Sequence, residues 1–160
     1  MQSPRERLQE KLAEIALKKS EQKLRDLCES YDGIKCTESK PKINGITPEA
    51  YSSPFAPIAS IPLAQIRSSM DHGQHRDWMR QQLQLLGEGA TFFVAAPGEH
   101  PGWVRISCQK GPEKLVEFAV GLSSRYDLSL YNSSTGVGIY LQLREYETFC
   151  FKRSIGQEIK

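Results

Sequence analysis

WVRISCQKGPEKLVEFAVGLSSRY, residues 103–126, changes its apolar period halfway along. Val104, Ile106 and Cys108 alternate with Trp103, Arg105 and Ser107, the period of two that marks a strand. After Gly111-Pro112 the apolar positions become Leu115, Phe118, Ala119 and Leu122, which share one face of a helix. A strand running into an amphipathic helix predicts a sheet with a helix packed on it. The flanking sequence extends that pattern. TFFVAA (91–96) is apolar at successive positions, which suits a central strand covered on both faces. AAPGEHPGW (95–103) carries two Pro-Gly dipeptides and reads as a hairpin connection with an exposed His100.

Downstream, LSLY is a short strand and NSSTG a turn. VGIYLQLR alternates cleanly, with Val137, Ile139, Leu141 and Leu143 on its core face. A turn at 145–147 leads into TFCFKRS, the last strand. The order from about residue 91 is therefore β-β-α-β-β-β, a hairpin, a helix and a meander. The expected class is α+β, with one antiparallel or mixed sheet and the 112–124 helix packed on one face.

Upstream, SPRE at 3–6 is a helix start: Ser3 caps, Pro4 takes the first position and Glu6 completes a capping box. A polar helix should run to about Tyr31. Leu8, Leu12 and Ile15 form one cluster, and Leu24, Leu27, Cys28 and Tyr31 a second, separated by Lys18, Lys19 and Ser20. Residues 32–60 are rich in Pro, Ser and Gly and show no period, so an irregular linker is expected, with Tyr51, Phe55 and Ile58 as pins. Two short helices should follow, near 63–70 and near 75–86, the second ending at Gly87 and Gly89. The organisation read from this is an N-terminal helical arm (1–31), a linker (32–60) and an α+β domain (61–160).

Hydrophobic residues make up 39% of the 160, charged residues 25%, and the formal net charge is +2. The pI of about 8.3 lies below the range of a dedicated nucleic-acid binder. No apolar run is long enough to span a bilayer, and the charged N-terminus lacks a secretory apolar region. A soluble cytoplasmic protein without a membrane partner is expected. Cys28, Cys36, Cys108 and Cys150 contain no CxxC and read as buried thiols, with a Cys28–Cys36 disulfide as the alternative in an oxidising compartment.

Catalytic patterns are weak. His72 and His75, beside Asp71 and Asp77, have a spacing that can present two imidazoles to a metal, but Gly73 intervenes and no third ligand is placed. A helix junction capped by Asp71 or His72 is the simpler reading. Arg105, Ser133-Ser134-Thr135 and Glu145-Tyr146-Glu147 occur in an order that resembles ADP-ribosyltransferases. The Ser-Ser-Thr falls in a turn and the gap to the Glu-x-Glu is too short for one cleft, so that family's residues are not carried over. No nucleophile elbow, Walker loop or dinucleotide-binding glycine pattern is present. Cys150, alternating with Phe149 and Phe151, could face solvent, but no His is marked as its partner. No catalytic residue, metal or cofactor is assigned.

The remaining signal is surface. Trp103, Arg105, Tyr140, Gln142, Arg144 and Lys152 are expected opposite the core. Such a face suits a protein hot spot, or base stacking and phosphate contacts. Segments from 45–88 could instead cover it and bury Trp103 and Tyr140. The leading expectation is a non-catalytic protein-binding module, an inhibitor, adaptor or immunity-type regulator. Its contacts would be Trp103, Arg105, Tyr140 and Arg144 on the sheet and Leu8, Leu12 and Ile15 on the helix, which could also pair two copies as a homodimer. A nucleic-acid-binding accessory protein would use Arg105, Arg144, Lys152 and Arg153. A small transferase or metal-dependent enzyme is the third class.

Overall fold

The computed structural model describes residues 1–43, 45–48, 64–67, 69–89, 91–96 and 102–154. Its elements in chain order are α1 (Pro4–Glu29), β1 (Ile34–Lys40), β2 (Ala64–Arg67), α2 (His72–Leu83) with a 3-10 turn (Gln84–Leu86), β3 (Thr91–Ala95), β4 (Trp103–Cys108), α3 (Pro112–Ser123), β5 (Leu128–Asn132), β6 (Val137–Leu143) and β7 (Glu147–Ser154). The seven strands form one sheet in the order β1-β4-β3-β5-β6-β7-β2, and every pairing is antiparallel. The class is α+β, as the change of period at 103–126 implies.

The pleat sorts the strand residues onto two faces. On one, Val94, Val104, Ile106, Leu128, Leu130, Ile139, Leu141 and Cys150 meet the helices in the main core. α3 supplies Leu115, Phe118, Ala119 and Leu122, and α2 supplies Met79 and Leu83. On the other face, Phe93, Ala95, Trp103, Tyr131, Tyr140 and Phe151 form a second, aromatic cluster with Ile43. Phe93 stacks on Tyr131 and Tyr140 on Phe151. Double burial is why β3 reads as a continuous apolar run rather than an alternating one.

Three local expectations are corrected. Residues 34–40, inside the stretch read as irregular, form β1 against β4. Ile34 and Cys36 face inward from IKCTESK, and the register slips between Cys36 and Ser39. That bulge breaks the alternation, so no period shows in the sequence. A strand, β2, replaces the helix expected near 63–70. It has four residues and only Ile66 buried, too few for a pattern. Cys150 is fully buried in the main core, because β7 pairs Cys150 with Leu141 and turns Phe149 and Phe151 to the aromatic side. The hairpin connection with His100, and Tyr51, Phe55 and Ile58, lie outside the described residues.

α1 starts as its sequence states. The Ser3 hydroxyl accepts from the Glu6 amide at 3.2 Å, and the Glu6 carboxylate accepts from the Ser3 amide at 3.2 Å. Its last turns carry Leu24 and Cys28 into the core. Tyr31 follows, edge-on to Phe118 at 5.5 Å and packed on Gly121, where an added Cβ would strike its phenol.

Candidate partner-binding surfaces

The expected sheet-face contacts separate into buried and exposed groups. Trp103 is fully buried and donates from Nε1 to the Ile46 carbonyl at 3.1 Å. Ile46 sits in a small bridge with Ile43, joined by amide–carbonyl bonds of 3.0 and 2.9 Å. Tyr140 is also buried; its hydroxyl donates to Asp127 at 3.1 Å. The covering segment thus begins slightly earlier than residue 45, and neither aromatic is presented to solvent as the sheet-face reading required. Arg105 is half-buried beside Glu38, 3.3 Å away. Arg144 lies beyond the end of β6, its guanidinium 4.3 Å over the Phe149 ring.

The basic set is divided rather than gathered. Arg105 pairs in register with Phe93, on the aromatic face. Lys152 pairs with Ile139 and shares the phase of Cys150, on the opposite face from the one expected. Arg153 takes a register position opposite Gly138. β3 and β5 lie between β4 and β6, so Arg105 stands about 14 Å across the sheet from the β6 end.

Asp71, Asp77 and Thr135, among the residues weighed for catalysis, make local structural contacts. Asp71 caps α2, its carboxylate accepting from the Gln74 amide at 2.8 Å and the Gln74 side chain accepting from the Asp71 amide at 3.0 Å. Asp77 pairs with Arg80 at 2.7 Å. His72 and His75 line a shallow cleft of about 300 Å³ with Trp78, Ser123 and Thr148. No cluster of three metal-capable side chains occurs among the described residues. Thr135 donates to the Leu86 carbonyl at 2.8 Å, which fixes the β5–β6 turn to the 3-10 turn beside Asn132.

A larger groove of about 610 Å³ was not anticipated. Leu83, Phe92, Cys108, Leu115 and Val116 line it, and the Arg80–Glu113 pair stands among its polar residues. That pair is bidentate, at 2.8 and 2.9 Å, and the guanidinium holds the Glu113 carboxyl below the usual range. Burial pushes the Cys108 thiol up to about 11. Gly87, Gly89 and Gly111 also border the groove. Their sequence signal is that of helix ends and did not distinguish a concavity.

The helical candidates are all exposed. Leu8, Leu12 and Ile15 are exposed by 57, 57 and 51%. At about 100° per residue they fall within a narrow stripe, roughly 170° around the axis from Leu24 and Cys28. They face away from the body to which the same helix is anchored. Arg5, Lys11, Lys18 and Lys19, all exposed, flank or continue the stripe. Glu6, Glu10, Glu14 and Glu21 fall on the anchored side.

These features define an α+β protein with a seven-stranded antiparallel sheet covered on both faces and a helix running beyond it. No family model, curated protein or solved structure matches the chain. No helix among the described residues is long and apolar enough to cross a membrane.

Proposed function

We propose that this chain is a protein-binding module of the inhibitor, adaptor or regulator kind, and that the outer half of α1 is its docking element. The carrying observation is the exposed Leu8, Leu12 and Ile15 stripe on the side of the helix turned away from the core. Its four-then-three spacing is that of a coiled-coil seam, narrower than the face of a membrane-surface helix. The basic residues along it favour a partner helix whose own apolar seam is flanked by Asp and Glu. A second copy fits less well, since pairing two such seams sets Lys and Arg against Lys and Arg. The nucleic-acid reading gains no support from Arg105, Arg144, Lys152 and Arg153, whose positions do not converge.

The test is a titration of the full chain with a synthetic amphipathic helical peptide, leucine along its seam and glutamate on both flanks, read by fluorescence anisotropy. Binding should weaken as salt screens the flanking charges and vanish in L8A/L12A/I15A. Failure to bind, or equal binding by the triple variant, overturns the proposal. So does binding of the chain to anionic vesicles or salt-labile nucleic acid in preference to the peptide. Light scattering that shows a dimer lost in the triple variant would replace the acidic partner with a second copy.

A further inference from the structure

The cleft between α2 and α3 has no part in the docking reading. The Arg80–Glu113 pair joins the end of α2 to the start of α3, so the two helices run antiparallel. The first turns of α2 and the last turn of α3 therefore border one cleft, with β7 beneath. His72 and His75 stand three apart on α2, and Trp78 and Met79 continue the same face. Ser123 and Ser124 stand opposite, at the end of α3. Ile66, Val120 and Leu143 add an apolar lining. Thr148 is the anomaly. It is 7% exposed, shares the phase of Cys150 on the helix side of β7, and borders the cleft. Its hydroxyl has no hydrogen-bond partner among the described residues, and neither imidazole has one. A buried hydroxyl without a partner costs stability, and a ligand that bonds to it removes that cost.

The polar groups set the chemistry of that ligand. Among the described residues lining the cleft there is no carboxylate, ammonium or guanidinium. The Ser123 hydroxyl donates to the Val120 carbonyl at 3.4 Å and the Ser124 hydroxyl to the Gly121 carbonyl at 2.7 Å, so each oxygen is left with acceptor capacity. The Thr148 hydroxyl both donates and accepts, and a neutral imidazole has one group of each kind. The set is mixed and carries no fixed charge. A phosphate or carboxylate would bring acceptors to the serine oxygens and negative charge to the C-terminal end of the α3 dipole. Alcohol groups match the set, because each is donor and acceptor at once. The carbon skeleton between them has to meet the aliphatic lining and the half-buried Trp78. The negative face of an indole attracts the weakly positive C–H groups of a saturated ring. The volume of about 300 Å³ is that of a small-ligand site. We infer that this cleft binds a neutral monosaccharide, with its C–H face against Trp78 and its hydroxyls on Thr148, His72 and His75.

The experiment is a titration of the full chain with the methyl glycosides of glucose, galactose, mannose and N-acetylglucosamine, read by tryptophan emission and by saturation-transfer NMR of the ligand. The chain has two tryptophans, and Trp103 is fully buried, so a change in emission reports on Trp78. At least one glycoside should bind saturably and shift the emission, and the shift should be absent in W78F. T148V keeps the side-chain shape and removes the hydroxyl; it should weaken binding about three- to tenfold, the worth of one hydrogen bond. W78F and T148V report separately, so misfolding of either leaves the other decisive. L8A/L12A/I15A, altered only in the docking stripe, should bind the glycoside as the parent does. The inference is overturned if no glycoside binds, if T148V binds as well as the parent, or if the emission shift survives in W78F. Loss of glycoside binding in L8A/L12A/I15A, or tighter binding of a nucleoside or nucleoside monophosphate than of every glycoside, overturns it as well.

Discussion

The two halves of α1 have similar composition and opposite surroundings. From Pro4 to Lys19 every side chain is exposed, whereas the last turns place Leu24 and Cys28 at zero exposure and lead into Tyr31 on Phe118 and Gly121. An isolated helix of this length is marginal in water. The outer half is therefore supported by its capping box and by continuity with an anchored inner half. Its apolar residues contribute little to the fold, and their exposure is the observation that a binding role would explain.

The largest expected contrast comes from truncating a leucine in each half. Leu24→Ala removes a fully buried side chain and should cost about 2–5 kcal/mol in chemical denaturation, while Leu12→Ala should stay within about 0.5 kcal/mol. Equal losses would mean that the outer half packs on its own domain. A smaller effect is expected at the root's contact with α3. Helix propensity alone favours Gly121→Ala by about 1 kcal/mol, yet the new methyl would strike Tyr31, and a net loss of about 1–3 kcal/mol is expected. A gain would show that Tyr31 moves aside freely.

Acid should act on the same root. Asp32 lies 2.6 Å from Lys110 and 3.4 Å from Lys114, which hold its carboxyl below the ordinary value. Glu113 is lowered likewise by Arg80. A carboxyl depressed in the folded state stabilises above its unfolded pKa, about 4, and loses that contribution as pH falls through the folded value. Stability should thus decline below about pH 4, less steeply in D32N/E113Q. An unchanged slope would show these exposed pairs to be neutral, as many are. The smallest effect is expected from L8A/L12A/I15A, whose melting temperature should match the parent's even as peptide binding disappears.

Much of this contrast could be read in the sequence. Ser3-Pro4-Arg5-Glu6 announced the helix start, and the interruption at Lys18, Lys19 and Ser20 separated its two clusters. The change of period at 103–126 gave the strand and helix that set the class. What could not be read was tertiary. β1 hides its period in a bulge, β2 is too short to have one, and both are strands because β4 and β7 offer edges to pair with. Trp103 and Tyr140 read as surface aromatics because alternation reports two faces but not which of them is covered; the Ile43–Ile46 bridge covers Trp103, while Tyr140 stacks on Phe151 and bonds to Asp127.

The two outermost strands of the sheet bear on how the molecule behaves in a crowd. β1 carries Lys35 and Lys40 and a register slip, and β2 offers four residues with Gln65 and Arg67 exposed. A neighbour seeking to add a strand meets charge and a bent ladder on one side and a short one on the other, which is how sheet proteins avoid stacking into fibrils. Deleting the β1 bulge and replacing Lys35 and Lys40 with Val should therefore convert a well-behaved chain into one that aggregates on concentration, with the native fold itself supplying the template.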